Sequence, residues 1–319
     1  MRYLSREDME RFIRMPDVME AVRQAFSMTE KGLIDTPLRT VIPAEKGSLL
    51  LMPAYSAALG LAVMKNVNMF PRNAALGRST TSAEIMLIDA KTGYTLAMLD
   101  GTYVTQQRTG AATGVAFSVL ARKDCRKGAL IGTGGQAEAH LDAMIAARRL
   151  QEISIFSLHS GHREAFTEKA RAKYAGCGID FRCAETADEC VEDADLIITV
   201  TTSETPVFDG TLVKKGATVS CVGTYEPNKH EIDPKLIVRA DKIFCDSKEA
   251  ALSESGDLLI PIRQGLIRED DICGSLGEVI NGTLPGRESE DEIIVFETVG
   301  IAAQDLVTAG MIYNMMSEN

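Results

Sequence analysis

With 319 residues, 45% of them hydrophobic and 25% charged, the chain is long enough for two domains with separate cores. Its 34 basic and 45 acidic side chains leave a formal charge of −11, which argues against a nucleic-acid or anionic-membrane surface. The seven cysteines include no C-x-x-C pair, the first residues lack the apolar core of a signal peptide, and no apolar stretch reaches membrane-spanning length, so reduced thiols in a cytoplasmic protein are expected.

In chain order, residues 5–25 read as two short amphipathic helices, with Ser5-x-x-Asp8 and Asp17 as start signals. Three β-like runs follow at 48–52, 61–67 and 84–89, and the last meets a run at 95–99 across the turn Ala90-Lys91-Thr92-Gly93, a β-hairpin pattern. A helix over 104–120 leads out of this mixed sheet. From there a strand–helix beat sets in. Short, β-branched-rich runs at 129–131, 153–158, 181–184, 196–201, 218–223 and 242–246 are separated by turns and by helical segments such as 164–174 and 186–192. Six such runs match a doubly wound parallel sheet covered on both faces. At the end, Ile301, Leu306, Ala309, Ile312 and Met316 repeat with helical period, so this helix is expected to pack back on the first domain. The fold class is thus α/β, a Rossmann-like domain at 117–297 inserted in an α+β domain made of 1–116 and 298–319.

The first strand of the beat runs into Gly132-Thr133-Gly134-Gly135-Gln136-Ala137, a G-x-G-x-x-A dinucleotide fingerprint. Gly132 supplies the tight turn, Gly134 lets the backbone approach a pyrophosphate, and Ala137 permits close helix–strand packing. The amides of the new helix face the phosphates. The second strand ends in Ser157-Leu158-His159-Ser160-Gly161-His162-Arg163, with no acid in the run to hold a ribose 2′-hydroxyl. Ser157, His159, His162 and Arg163 are instead read as donors for a 2′-phosphate, which favours NADP over NAD. The His159-x-x-His162 pair lacks an adjacent carboxylate or thiolate, and no metal site is expected. In the first domain, Arg39, Lys65 and Arg108 are three cations from separate segments. Lys65 stands in an apolar strand-like run, and together the three suit a substrate α-carboxylate.

These residues resemble the ornithine cyclodeaminase/mu-crystallin family nearly end to end. The resemblance rests on Met52-Pro53, Lys65, Thr105-Gln-Gln-Arg108-Thr109, the glycine fingerprint, Thr201-Thr-Ser-Glu-Thr-Pro206, Gly256-Asp257-Leu258 and Phe296-Glu-Thr-Val-Gly-Ile-Ala302, all in family order. It implies a homodimer joined through the sheets of the N-terminal domains, and a nicotinamide cofactor facing a small amino or imino acid at the domain cleft. Arg39, Lys65 and Arg108 match positions that bind the substrate carboxylate, with Lys65 and Arg108 as catalytic candidates. Gly132, Thr133, Gly134, Gln136, Ala137, Ser157, His159, Arg163, Thr201, Thr202 and Gly223 make up the candidate cofactor set.

One departure matters for the reaction. Family cyclodeaminases place an Asp two residues after the strand-end glycine, and here Gly223-Thr224-Tyr225-Glu226-Pro227 puts Tyr225 there, as a substrate-binding candidate. Glu226, one position over, is the alternative acid, and Lys229 and Glu231 are further polar groups near the cleft. The resemblance therefore implies an NAD(P)H-dependent reductase of a small imino acid: a cyclic ketimine such as 1-pyrroline-2-carboxylate, or the imine of pyruvate and ammonia in alanine dehydrogenase-type chemistry. The alternatives are an ornithine cyclodeaminase and a crystallin-like dinucleotide-binding protein with little catalysis.

Overall fold

Burial alternates along the strands of 47–100, with Leu50, Met52, Ala54, Val63, Val67, Ala83, Ile85 and Leu87 buried, and a chain that pleats with period two forms a sheet with one buried face. A computed structural model describes residues 2–317. It forms this sheet from β1 (Arg2–Leu4), β2 (Thr40–Ala44), β3 (Gly47–Ser56), β4 (Leu61–Met69), β5 (Thr81–Asp89) and β6 (Thr95–Asp100). The order is β1-β6-β5-β4-β3-β2, antiparallel from β2 to β6 with β1 added parallel to β6. The two edge strands escaped the pattern reading because they are short, and Pro43 within β2 is tolerated only at an edge. In β4, Val63, Lys65 and Val67 point to the buried face. The helix Ala302–Ser317 covers β3, β4 and β5 and packs on the helix Met15–Glu30. Ser5 caps the helix Arg6–Glu10 through a capping box with Asp8. Asp17 is not a cap: Arg14 holds that position, and Pro16 with its preset φ opens the next helix.

The second sheet is wholly parallel: β7 (Lys127–Ile131), β8 (Glu152–Phe156), β9 (Asp180–Cys183), β10 (Leu196–Thr199), β11 (Thr218–Cys221), β12 (Lys242–Cys245), β13 (Gly274–Ser275) and β14 (Ile294–Glu297), ordered β13-β12-β14-β11-β10-β7-β8-β9. Both faces are buried. Ala129 and Ile131 of β7 join one core with Ile197, Val219 and Val295, while Leu130 joins the other with Ile153, Ile155, Leu141 and Met144. The six-strand expectation is corrected to eight. The fully buried β14 inserts between β11 and β12, both of which precede it, so a beat read in chain order does not announce it. The order reverses beside β7, whose end carries the glycine fingerprint, the switch point at which such sheets bind ligands.

By its contacts the chain divides into residues up to Ala111 with those from Gly300 onward, and Ala112–Val299. The sequence reading put the borders at 116/117 and 297/298. The helix Gly101–Leu120 begins in one unit and ends in the other, so its pattern offers no break at the border. Among the described residues no helix is long and apolar enough to cross a membrane.

Candidate functional site

The end of β7 is shaped for close approach. Gly132 has φ of +109°, and a Cβ there would lie 2.5 Å from the Val200 carbonyl oxygen, so the turn requires glycine. Gly134 is exposed, and a Cβ built on it meets no heavy atom within 4 Å. Beyond it the helix Ala137–Ala147 starts with Gln136 at its cap, without a side-chain capping bond, and the Gln136 Oε1 is buried without a hydrogen-bond partner. Ala137 is fully buried. Gly132, Thr133, Gly134, Ser157, His159, Thr201 and Thr202 line a cavity of about 800 Å³. An open glycine edge leading to an uncapped helix start fits a pyrophosphate, and the cavity has the size of a ligand site. Gln136, Ala137, Arg163 and Gly223 of the cofactor set stand outside this lining.

Gly223 has a different role, set by Glu231. The fully buried Glu231 carboxylate accepts from Thr201 N at 2.8 Å, Thr201 Oγ1 at 2.7 Å and Gly223 N at 2.7 Å. It thereby ties together the turns that follow β10 and β11. A Cβ on Gly223 would collide with the Thr201 carbonyl and with this carboxylate. Glu231 is held in turn by Asp257, whose Oδ1 accepts from the backbone N of Glu231 at 2.8 Å and of Ile232 at 2.9 Å. Burial outweighs these bonds and raises the Glu231 carboxyl. Burial and the nearby Glu231 raise Asp257 to about 7, and burial holds Glu297 well above the carboxylate range. Sequence reading noted Glu231 as a polar group near the cleft. It missed that the residue is buried support, because its partners come from three other segments.

At the end of β8 the reading needs a correction. Arg163, offered as a phosphate ligand in a segment without acids, is buried, lies 5.7 Å from the Phe156 ring centre, and forms an ion pair with Glu185. Glu185 follows β9, and it lines the cavity together with Asp188. The parallel pairing of Ile155 with Cys183 places the ends of β8 and β9 side by side, so the acid arrives from the neighbouring strand. Ser157 and His159 remain on the cavity wall, with Leu158 exposed between them.

The three cations of the other unit do converge. Lys65 is on the buried face of β4, between Met52 of β3 and Ile85 of β5, and is fully buried. Its Nζ donates to Asp305 Oδ2 at 2.5 Å. Arg108 lies about two turns into the helix Gly101–Leu120; its Nε donates to Asp305 Oδ1 at 3.1 Å and its Nη1 to Gln304 Oε1 at 2.7 Å. Arg39 Nη2 donates to the Gly300 carbonyl at 2.7 Å. Burial and the Arg108 guanidinium pull the Lys65 ammonium down to about 7, while Asp305 acts in the opposite sense. Asp305 and Gln304, both fully buried, were not found by sequence reading. The signal for them was an adjacent Gln and Asp following Ile301-Ala302-Ala303 in a helix with no other charged residue.

Tyr225 is half-buried in the segment after β11 and belongs to the unit Ala112–Val299, not to the unit of the three cations. Glu226 is exposed and engaged by Lys229 at 2.9 Å, and Lys229 also meets Glu204 at 3.2 Å. Neither Glu226 nor Lys229 is held in a buried position.

The profile of the ornithine cyclodeaminase/mu-crystallin family matches residues 2–319. A Delta(1)-pyrroline-2-carboxylate reductase of Bacillus cereus is 35% identical over 320 residues, covering 100% of this chain and 97% of the relative. The structure of Thermococcus litoralis Delta(1)-pyrroline-2-carboxylate reductase in complex with NADH and L-proline superposes with a TM-score of 0.96 at 36% identity, over 100% of this chain and 98% of that one. An archaeal alanine dehydrogenase dimer with bound NAD gives a TM-score of 0.93 at 33% identity, over 100% and 97% of the two chains.

Proposed function

The chain belongs to the ornithine cyclodeaminase/mu-crystallin family, and on that premise we propose that it is an NAD(P)H-dependent reductase of a small imino acid, a cyclic ketimine such as 1-pyrroline-2-carboxylate. The observation that carries the reading is the buried cation pair, Lys65 at 2.5 Å and Arg108 at 3.1 Å from one carboxylate, Asp305. A dry site with more positive than negative groups selects an anion, and a guanidinium beside an ammonium suits a carboxylate. Arg39, Lys65 and Arg108 hold the substrate carboxylate and so orient its C=N bond. When bound, the nicotinamide supplies hydride to the imine carbon. Lys65, drawn down to about 7, holds a proton that it can release near neutral pH and delivers it to the imine nitrogen. A relative of this kind is known with L-proline, the reduced form of that ketimine, and NADH in place. The imine of pyruvate and ammonia is the second substrate the same anchors serve, as the alanine dehydrogenase relative suggests.

NADH is the cofactor this protein prefers, which reverses the preference read from the end of the second strand. Arg163 is engaged by Glu185, and the Glu185 and Asp188 carboxylates on the cavity wall repel a 2′-phosphate. The protein works as a homodimer. On the outer face of the first sheet, Pro53, Met64, Met86, Met98 and Tyr3 form one row across five strands, with Met64 41% and Tyr3 58% exposed. A row of large apolar side chains on an open sheet face is suited to a second copy. Sedimentation of Met64→Lys at micromolar concentration should show monomer; an unchanged dimer would place the interface elsewhere.

The test of the reading is cofactor oxidation with pyrroline-2-carboxylate, piperideine-2-carboxylate and pyruvate plus ammonium, run beside proline formation from ornithine. Lys65→Ala and Arg108→Ala should each lower kcat/KM by roughly 10- to 100-fold, the loss of one charge-assisted bond, with nucleotide affinity retained. Near-normal turnover in either variant would leave that residue a structural cation only. No reduction of any imino acid offered would overturn the function.

A further inference from the structure

Asp305 sits in the first turn of the helix Ala302–Ser317, fully buried, with both carboxylate oxygens engaged. Oδ2 takes the Lys65 ammonium at 2.5 Å and Oδ1 the Arg108 Nε at 3.1 Å. The groups that bear on Lys65 are few. Arg108 comes from the helix Gly101–Leu120, Arg39 from the segment before β2 and Asp305 from the covering helix. The strand neighbours Met52 and Ile85 carry no charge. Lys65, fully buried, therefore faces two cations and one anion among the groups that bear on it. Two like charges in such a site disfavour one another's ionisation, and the ammonium yields before the guanidinium because only it can lose its proton under ordinary conditions.

We infer that Asp305 is the positioning residue of the substrate anchor: one carboxylate bridges Lys65 and Arg108, fixes their spacing, and keeps a proton on Lys65 against the repulsion of Arg108 and Arg39. The inference rests on the reading of Lys65 as carboxylate anchor and proton donor, and extends it to a residue that does not touch substrate. The bridge also orients the guanidinium. Arg108 Nε is held by Asp305 and Nη1 by Gln304 Oε1 at 2.7 Å, so the fork is locked from two sides and presents its Nη2 edge in a constant direction. Lys65 keeps two further N–H donors beyond the one given to Asp305.

The experiment is Asp305→Asn, which preserves shape while removing the charge. The pH profile of kcat/KM for imine reduction is measured with the intact protein and NADH. Loss of the anion lets burial and the two cations act on Lys65 unopposed, so the alkaline limb should move down by at least about one pH unit, a roughly tenfold loss just above the original limb. A residue that serves only the fold would lower the plateau and leave the limb in place, and that result overturns the proposal. The same shift is read without turnover from the titration of the Lys65 Cε carbon-13 resonance in labelled protein. If the unmodified protein reduces no imino acid, the functional reading fails, while this titration still decides the role of Asp305. Should Asp305→Asn not fold, Arg108→Gln serves instead, because it leaves Asp305 to Lys65 alone. The Lys65 titration should then move up, and an unmoved or lowered titration overturns the bridge.

Discussion

Arg163 and Glu185 form an ion pair between two adjacent βα units, the arginine from the helix after β8 and the glutamate from the turn after β9. The Arg163 side chain is 10% exposed and that of Glu185 76%. A pair so open on one side adds little to stability. It engages the one arginine in that segment, and a second acid, Asp188, lines the same cavity.

The consequence is a cofactor preference. The ratio of kcat/KM for NADH over NADPH should exceed about tenfold, roughly 1.4 kcal/mol in the transition state. Glu185→Gln frees Arg163 and removes a repulsion, so the ratio should fall several-fold toward NADPH. A protein that uses NADPH better than NADH, or a Glu185→Gln variant with an unchanged ratio, would show that this pair does not read the ribose.

Gly134 separates folding from binding. The space where its Cβ would stand holds no protein atom within 4 Å, so Gly134→Val should fold with an unchanged circular dichroism spectrum. Its branched side chain occupies the place where a pyrophosphate would meet the backbone, and dinucleotide affinity should fall by at least about 100-fold, some 2.7 kcal/mol. Wild-type affinity in a folded variant would place the cofactor elsewhere.

How far the sequence carried this reading depended on where each residue finds its partners. Parallel strands buried on both faces are written as unbroken apolar runs, so β7 to β12 were legible, and the glycine turn marked the switch point. β14 lies far along the chain from the strands it joins, so no local pattern announced its place in the sheet. Lys65 was conspicuous as a cation within a strand-like apolar run. Asp305 was not, since its partners Lys65 and Arg108 lie 240 and 197 positions away and an acid in a helix has a bland local meaning. Glu185 escaped for the same reason. In each case a charge finds its partner on a separate segment folded against it, which a local pattern does not encode.

The buried carboxyls predict how stability responds to pH. Burial and Glu231 raise Asp257 from 3.8 to about 7, so the folded protein holds a proton that the unfolded chain releases between those values. The stabilisation from that proton is complete below the unfolded value and is lost as pH rises through about 7. Burial shifts Glu231 and Glu297 in the same direction. Lys65, lowered to about 7 from 10.5, has the opposite slope, and only above about 7. Asp257→Asn keeps the Oδ1 that accepts from Glu231 N and Ile232 N but cannot ionise. Urea unfolding at about pH 5.5 and about pH 8 should therefore show a smaller loss of stability in the variant than in the unmodified protein. Equal losses would mean that Asp257 does not titrate in that window.

Tyr225 bears on which reaction the anchors serve. Cyclisation of ornithine requires a proton to leave the δ-ammonium so that the amine can attack the C=N carbon. A carboxylate next to that amine would both accept the proton and attract the second positive charge of the substrate. A phenol is neutral at pH 7 and does neither. The nearest acid in sequence, Glu226, is exposed and paired with Lys229 at 2.9 Å, so it does not take over the task. Ornithine should therefore be turned over at a rate at least about 100-fold below that of the best cyclic imine, about 2.7 kcal/mol in barrier. Tyr225→Asp should introduce measurable release of ammonia and proline from ornithine without net oxidation of NADH. The same change should weaken imine reduction. Both rates are followed in one experiment, by proline formation and by NADH absorbance. Ornithine turnover by the unmodified protein that outruns every imine offered would make it a cyclodeaminase working without an acid at this position.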